Sequence, residues 1–248
     1  MSLVVSETFY SIQGEGPDSG HPAIFLRLTG CNLTCNGWSY NTGLTHAGTA
    51  GEHLGCDTKH IWRQGNRYET DELIADWKKR GWLDLFELST PLVVTGGEPL
   101  LQEEGLKDFL YALFEEVSHG LSIRVETNGT IRPSPVLRGS ISAWSLAPKL
   151  ASAGDPVDKR RNESALEWFV DLTNEAVVSA VNWIFTTDGR WQDTEEIEVK
   201  FVEPFKLPSN VIWIQPEGQT SRTKIADICL AHGWNYSPRL QIALGGRA

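Results

Sequence analysis

The sequence predicts an α/β fold with a mostly parallel sheet. Short apolar, β-rich runs alternate with stretches of helical periodicity along the chain, and strand–helix–strand repetition is the pattern of a parallel sheet with crossover helices. Polar and glycine-rich motifs follow the strand-like runs. In such sheets ligands bind at the carboxyl ends of the strands.

Taken in order, the strand-like runs are 23–28 (AIFLRL), 91–94 (PLVV), 121–125 (LSIRV), 141–146 (ISAWSL), 181–185 (VNWIF), 211–214 (VIWI) and 239–243 (RLQIA). Helical periodicity covers 70–80, 102–117, 163–172, 194–205 and 220–231. Thr70, Asp71 and Glu72 supply capping residues to the first of these. A cysteine loop follows the first strand-like run, TGGEP (95–99) the second, ETNG (126–129) the third, APK (147–149) the fourth and QPEG (215–218) the sixth. Residues 36–55, rich in Gly, Thr, Asn and His, read as a polar loop and an insertion, and 152–162 as a second polar break. No internal repeat or long linker interrupts the pattern, so 1–248 read as a single domain.

At 248 residues the chain is long enough to bury a core without disulfides. No apolar run approaches the roughly 20 residues that span a bilayer, so no membrane partner is expected. With 22 Lys and Arg against 32 Asp and Glu, the net charge of −10 repels phosphate backbones. The basic runs 78–80 and 159–161 are short and separate. Direct nucleic-acid binding is therefore not expected.

Three of the four cysteines, Cys31, Cys35 and Cys56, fall within 26 residues. The opening MSLVVSETFY lacks the basic and apolar regions of a secretory signal. A reducing, cytoplasmic location is expected, where clustered cysteines serve metals or catalysis rather than disulfides. Soft thiolates select zinc, copper(I) or iron–sulfur clusters. A cubane held by three thiolates leaves one iron open, whereas structural zinc wants a fourth donor, which His46, His53 or His60 could supply. Spacing alone leaves both open. Cys229 lies in a helical pattern and reads as a small core residue.

In Thr95-Gly96-Gly97-Glu98-Pro99, two glycines let the backbone approach a ligand. Their N–H groups suit an amino-acid carboxylate, and Glu98 or a nearby carbonyl suits its ammonium. Together with Cys31, Cys35 and Cys56, this motif resembles the radical S-adenosylmethionine (SAM) superfamily. ETFYSIQGEG (7–16), FLRLTGCNLTC (25–35) and CDT (56–58) narrow the resemblance to the 7-carboxy-7-deazaguanine synthase family. It continues through ETNG, APK, IQPEG (214–218) and PRL (238–240), nearly the whole chain.

The resemblance implies a partial, modified (β/α) barrel and conversion of 6-carboxy-5,6,7,8-tetrahydropterin to 7-carboxy-7-deazaguanine with release of ammonia. It implies a [4Fe-4S] cluster on Cys31, Cys35 and Cys56, SAM on the open iron, and Mg2+ on Thr58. Hydrogen abstraction from C6 of the pterin by a 5′-deoxyadenosyl radical would start the reaction. Arg27, which interrupts an apolar run, suits the substrate carboxylate. Ile12, Gln13, Gly14 and Glu15 suit the aminopyrimidinone edge, and Thr95 is a further substrate contact. Gly97, Glu98, Asn128, Ser145, Ala147, Pro148, Lys149, Gln215, Pro216, Glu217 and Gly218 would hold SAM. A homodimer and an electron donor such as flavodoxin are also implied. A glycyl-radical activating enzyme would share the cysteines and GGEP but not SIQGEG, Arg27 and CDT together. A zinc-stabilised binding module is the reading from another class.

The chain departs from the family at four places. Twenty residues separate Cys35 from Cys56, and Trp38 stands where the third cysteine usually falls. Gly55 precedes Cys56 where the family has an aromatic residue against the adenine, a role Trp38 would take by folding back. Ala147 replaces a serine, and Gln241 is the nearest polar substitute for a C-terminal histidine.

Overall fold

The computed structural model describes residues 1–42, 51–117, 120–175, 180–218 and 220–244, with 39–42 and 51–54 as backbone. The strands are β1 (Ser2–Ile12), β2 (Pro22–Leu28), β3 (Ser39–Thr42), β4 (Gly51–Leu54), β5 (Asn66–Glu69), β6 (Leu92–Gly96), β7 (Ile123–Thr127), β8 (Ala143–Leu146), β9 (Ala180–Thr187), β10 (Ile212–Pro216) and β11 (Asn235–Tyr236). Among the described residues nine of them form one sheet in the order β11-β10-β9-β8-β7-β6-β2-β1-β5. From β2 to β11 every pairing is parallel, and β1 runs antiparallel to both neighbours. The loops after β2, β6, β7, β8, β9 and β10 therefore leave from one rim of the sheet.

Alternation along the strands divides the two faces. Leu26 and Leu28 of β2, Leu92 and Val94 of β6, Ile123 and Val125 of β7, and Trp144 and Leu146 of β8 are buried in the main core. There they meet the apolar sides of helices Thr70–Lys79, Glu103–Glu116, Glu163–Glu175 and Arg222–His232. Trp77, Trp144 and Trp183 are fully buried there and pack edge-on or tilted against Phe109, Phe169 and Phe201. The opposite face carries a small apolar patch of Phe9, Ala23, Phe25 and Val93. Alternation puts Arg27, Thr95, Glu126, Thr186 and Gln215 on that same face.

The predicted helices form where periodicity placed them. The helix Thr70–Lys79 is capped one residue earlier than expected: the Glu69 N–H donates to Glu72 at 3.0 Å. The expected stretch 194–205 begins as Trp191–Ile197 and continues through a π-turn, Glu198–Val202, into Glu203–Phe205. The expected strand 239–243 is a correction, because Leu240–Ala243 is a helical turn. Pro238 has no N–H for a ladder, and a five-residue apolar run does not distinguish strand from helix. Pairing to β10 is made instead by Asn235 and Tyr236. β1 was not legible: only Leu3 and Val5 are buried, and Ser and Glu interrupt its apolar residues, so it carries no continuous buried run. No described helix is long and apolar enough to cross a membrane.

Candidate active site

The cluster loop leaves β2 at the rim. Cys31, Cys35 and Cys56 pack on one apolar patch with Leu33, Trp38 and Ala153, and all three are free thiols. The long gap between Cys35 and Cys56 is taken up by a hairpin, with Ser39 opposite Leu54 and Thr42 opposite Gly51. Its base is closed by the Gly55 N–H donating to the Trp38 carbonyl at 2.6 Å. Cys56 thus re-enters the loop beside Trp38, where the shorter family spacing would put a ligand. The middle of the expected insertion, 43–50 with His46, lies outside the described residues.

Burial pushes the Cys31 thiol up and the Cys35 thiol up to about 12, so ligation has to displace their protons. The Lys149 ammonium opposes both shifts. It donates to the Ala147 carbonyl at 2.8 Å and lies 5.6 Å from the centre of the Trp38 ring. Trp38 has therefore folded back beside the cysteines. Cys56 Sγ lies 3.3 Å from Thr58 Oγ1.

The TGGEP turn packs against this loop. A side chain at Gly97 would come within 2.1 Å of the Gly30 carbonyl and 2.6 Å of Cys31 Cβ, so the position tolerates none. The Glu98 N–H donates to the same carbonyl at 2.8 Å. The Glu98 side chain corrects an expectation. Its carboxylate is fully buried and accepts from the Leu100 N–H, the Asn128 N–H and the Thr127 hydroxyl. Burial raises its pKa, and these donors occupy the side chain. It braces the turn against β7, leaving only the backbone to meet a ligand. Asn128 ties the two loops together, donating to Asn32 at 2.9 Å.

Beneath the rim lies a polar patch. Glu126 accepts from Gln13 Nε2 at 2.9 Å and from the Thr95 hydroxyl at 2.7 Å. Burial and the nearby Glu15 charge raise its pKa, against the two hydrogen bonds and Arg27. The Arg27 side chain is 15% exposed and pairs through Nε with Glu7 at 2.8 Å. Gln13 and Thr95 were expected here; Glu126 was not. A charge interrupting an apolar strand had flagged Arg27, and the same signal was present in LSIRVET.

The motif SIQGEG is locked to the chain's end. Arg239, 5% exposed, pairs with Glu15 at 3.2 Å and with Asp57. Burial alone would raise the Asp57 pKa, but the Arg239 charge and hydrogen bond, helped by Arg27, hold it below the usual aspartate value. Gln241 donates to the same Glu15 oxygen, and its side chain would collide with any Cβ at Gly14. The Leu240 N–H donates to the Gly14 carbonyl at 3.0 Å. Glu15 therefore spends one oxygen on bracing. Replacing Arg239 with leucine should lower stability by about 3 kcal/mol. That is the low end for breaking a buried pair, because Glu15 and Asp57 stay nearly a third exposed. A urea midpoint unchanged from wild type would show that these pairs carry no net stability.

Of the other expected SAM contacts, Ser145, Ala147 and Pro148 lie at or just past the carboxyl end of β8 and Gln215 to Gly218 at that of β10. The Gln215 side chain is engaged by Thr186 at 2.8 Å and Ser237 at 3.3 Å. Ile12 ends β1, next to Gln13. Asp155, which the sequence left in a polar break, accepts from the Thr34 and Cys35 N–H groups within the cluster loop.

No protein-family model matches the chain. Curated relatives named 7-carboxy-7-deazaguanine synthase do. The one from Pyrobaculum aerophilum is 30% identical, the match covering 98% of this chain and 95% of the relative. The one from Halobacterium salinarum is 29% identical, covering 98% and 90%. In fold, the chain superposes on the crystal structure of QueE from Escherichia coli with a TM-score of 0.64 at 24% identity, covering 96% of this chain and 93% of that one. A chain matched over nearly its full length, with the cysteine loop, the GGEP turn and the SIQGEG segment meeting around one rim, belongs to the 7-carboxy-7-deazaguanine synthase family.

Proposed function

We propose that this chain contracts the ring of 6-carboxy-5,6,7,8-tetrahydropterin to 7-carboxy-7-deazaguanine with loss of ammonia. The observation that carries the reading is the stacking of two sites. Three free cysteines share one patch at the carboxyl rim, and the Gln13–Thr95–Glu126 group lies beneath it.

The donor set fits a [4Fe-4S] cluster. Cys31, Cys35 and Cys56 would supply three thiolates and leave one iron for SAM. When bound, the cluster and SAM supply the radical that takes hydrogen from C6 of the pterin. The protein's task is to place C6 and keep water out.

Gly97, Asn128, Ser145, Ala147, Pro148, Lys149 and the 215–218 backbone would hold SAM along the rim. Arg27 uses only Nε toward Glu7, and its terminal nitrogens suit the substrate carboxylate bidentately. Ile12, Gln13, Gly14, Glu15 and Thr95 would read the aminopyrimidinone edge. Glu126, with its raised pKa, can carry a proton at that edge as the ring rearranges and ammonia leaves. Thr58 Oγ1 would bind Mg2+, with water and substrate oxygens completing its shell. Asp57, next to it, is held by Arg239 through one oxygen. A homodimer, a flavodoxin-like electron donor, a cytoplasmic location and a single radical SAM domain over 1–248 rest on the resemblance.

The test is anaerobic reconstitution with iron and sulfide, then incubation with SAM, reductant, Mg2+ and 6-carboxytetrahydropterin. The expected result is a brown protein with about four irons per chain and 7-carboxy-7-deazaguanine identified by mass. SAM cleavage without pterin turnover would overturn the substrate. A colourless protein holding one zinc would overturn the cluster.

A further inference from the structure

We propose that Asp155 is the positioning residue of the cluster loop: it fixes the Cys35 backbone and, as a buried anion beside it, lowers the reduction potential of the cluster. The proposal rests on the reading of Cys31, Cys35 and Cys56 as that cluster's ligands. Asp155 is 7% exposed. Its Oδ1 accepts from the Thr34 N–H at 3.0 Å and the Thr34 hydroxyl at 2.8 Å, and its Oδ2 from the Cys35 N–H at 2.7 Å. Donors converging on this carboxyl group, the two N–H groups, the Thr34 hydroxyl and the Cys35 thiol among them, favour its charged form.

Cys35 needs such a clamp. Its φ of +47° is in the left-handed region, a conformation that a non-glycine residue keeps only where the surroundings impose it. The loop carrying Asp155 fits the cluster loop backbone to backbone. The Gly37 N–H donates to the Ala153 carbonyl at 2.8 Å. A Cβ at Gly37 would stand 2.3 Å from the Ser152 carbonyl, and one at Gly154 would stand 2.6 Å from the Gly37 nitrogen. Behind it, the hydroxyls of Ser152 and of Thr187, at the carboxyl end of β9, donate to one oxygen of Asp193 at 3.1 and 2.6 Å. The bracket is therefore anchored in the sheet.

Two effects on the cluster follow. A fixed negative charge beside a ligand disfavours adding an electron. N–H groups committed to Asp155 are also not available to bond cluster sulfur, and such bonds raise the potential. Both lower it.

The experiment compares wild type, Asp155→Asn, Thr34→Val and the exposed control Asp158→Asn, each reconstituted anaerobically. Iron per chain, iron loss to a chelator, and the midpoint potential from an EPR-monitored redox titration are measured. Asp155→Asn should still take up iron and shift the potential upward, but release iron faster than wild type, because its NH2 faces one of the two backbone N–H groups that the carboxylate accepts. Thr34→Val keeps the charge but loses one bond; it should release iron at least twofold faster with little change in potential. Asp158→Asn should match wild type in both. Wild-type potential in Asp155→Asn, or an equal shift in Asp158→Asn, overturns the charge role. Unchanged iron release in Thr34→Val overturns the clamp. A wild-type chain that takes up no iron and sulfide overturns the ligand reading itself and the proposal with it.

Discussion

Replacing Cys56 with alanine should abolish both the iron–sulfur cluster and turnover, while Trp38→Ala should keep the cluster. The contrast is sharp because the sequence offers both positions. Trp38 stands at the usual spacing for the third ligand, and twenty residues separate Cys56 from Cys35. A loop of that length need not displace its ends, since closure entropy grows only slowly with length. Here the added chain pairs with itself, and the Gly55–Trp38 hydrogen bond of 2.6 Å closes it. Cys56 then meets Cys31 and Cys35 on the patch formed by Leu33, Trp38 and Ala153. Indole cannot ligate iron, so Trp38→Ala removes packing and the Lys149 contact but no donor. Iron per chain after anaerobic reconstitution is the measurement. Near-full iron in Cys56→Ala would mean that another residue supplies the third thiolate position.

Much of the fold was legible because a parallel sheet covered by helices writes buried runs into the sequence. AIFLRL and PLVV became β2 and β6 with shifts of one or two residues at their ends. β1 escaped for the converse reason, its side chains being mostly on faces that nothing covers completely. At the site, residue type announced Arg27 and the cysteines, because each is unusual where it stands, whereas Gln13 and Thr95 came from the family resemblance. The Glu98 side chain was not legible as a brace, because a carboxylate beside two glycines suggests a ligand contact. Only the structure supplies the Asn128 N–H and the Thr127 hydroxyl that occupy it. Asp155 carried no local signal at all: its partners Thr34 and Cys35 lie about 120 positions away in the chain.

Glu126→Gln should all but stop pterin turnover while making the folded chain more stable at neutral pH. The carboxylate is buried, and its two donors, Gln13 Nε2 and the Thr95 hydroxyl, do not fully offset that burial, so its pKa sits above the ordinary 4.5. The sign of the pH effect follows from proton linkage. Between 4.5 and the raised value the folded chain holds a proton that the unfolded chain has released. Wild-type stability therefore falls as pH rises through that window, and levels off above it. Glutamine keeps the shape, accepts from Gln13 through its oxygen, and donates to Thr95 once that hydroxyl rotates. The variant lacks the titration, so its advantage should be near zero below pH 4 and grow toward neutrality, as read from urea midpoints at several pH values. Catalysis moves the other way. Loss of a positioned acid–base group costs roughly 10²–10⁴ in rate. The loss should fall on kcat rather than on KM for the pterin, because both hydrogen bonds beneath the rim survive. A variant that gains stability at pH 7 yet turns over at the wild-type rate would leave Glu126 as a substrate-side brace with no proton to move.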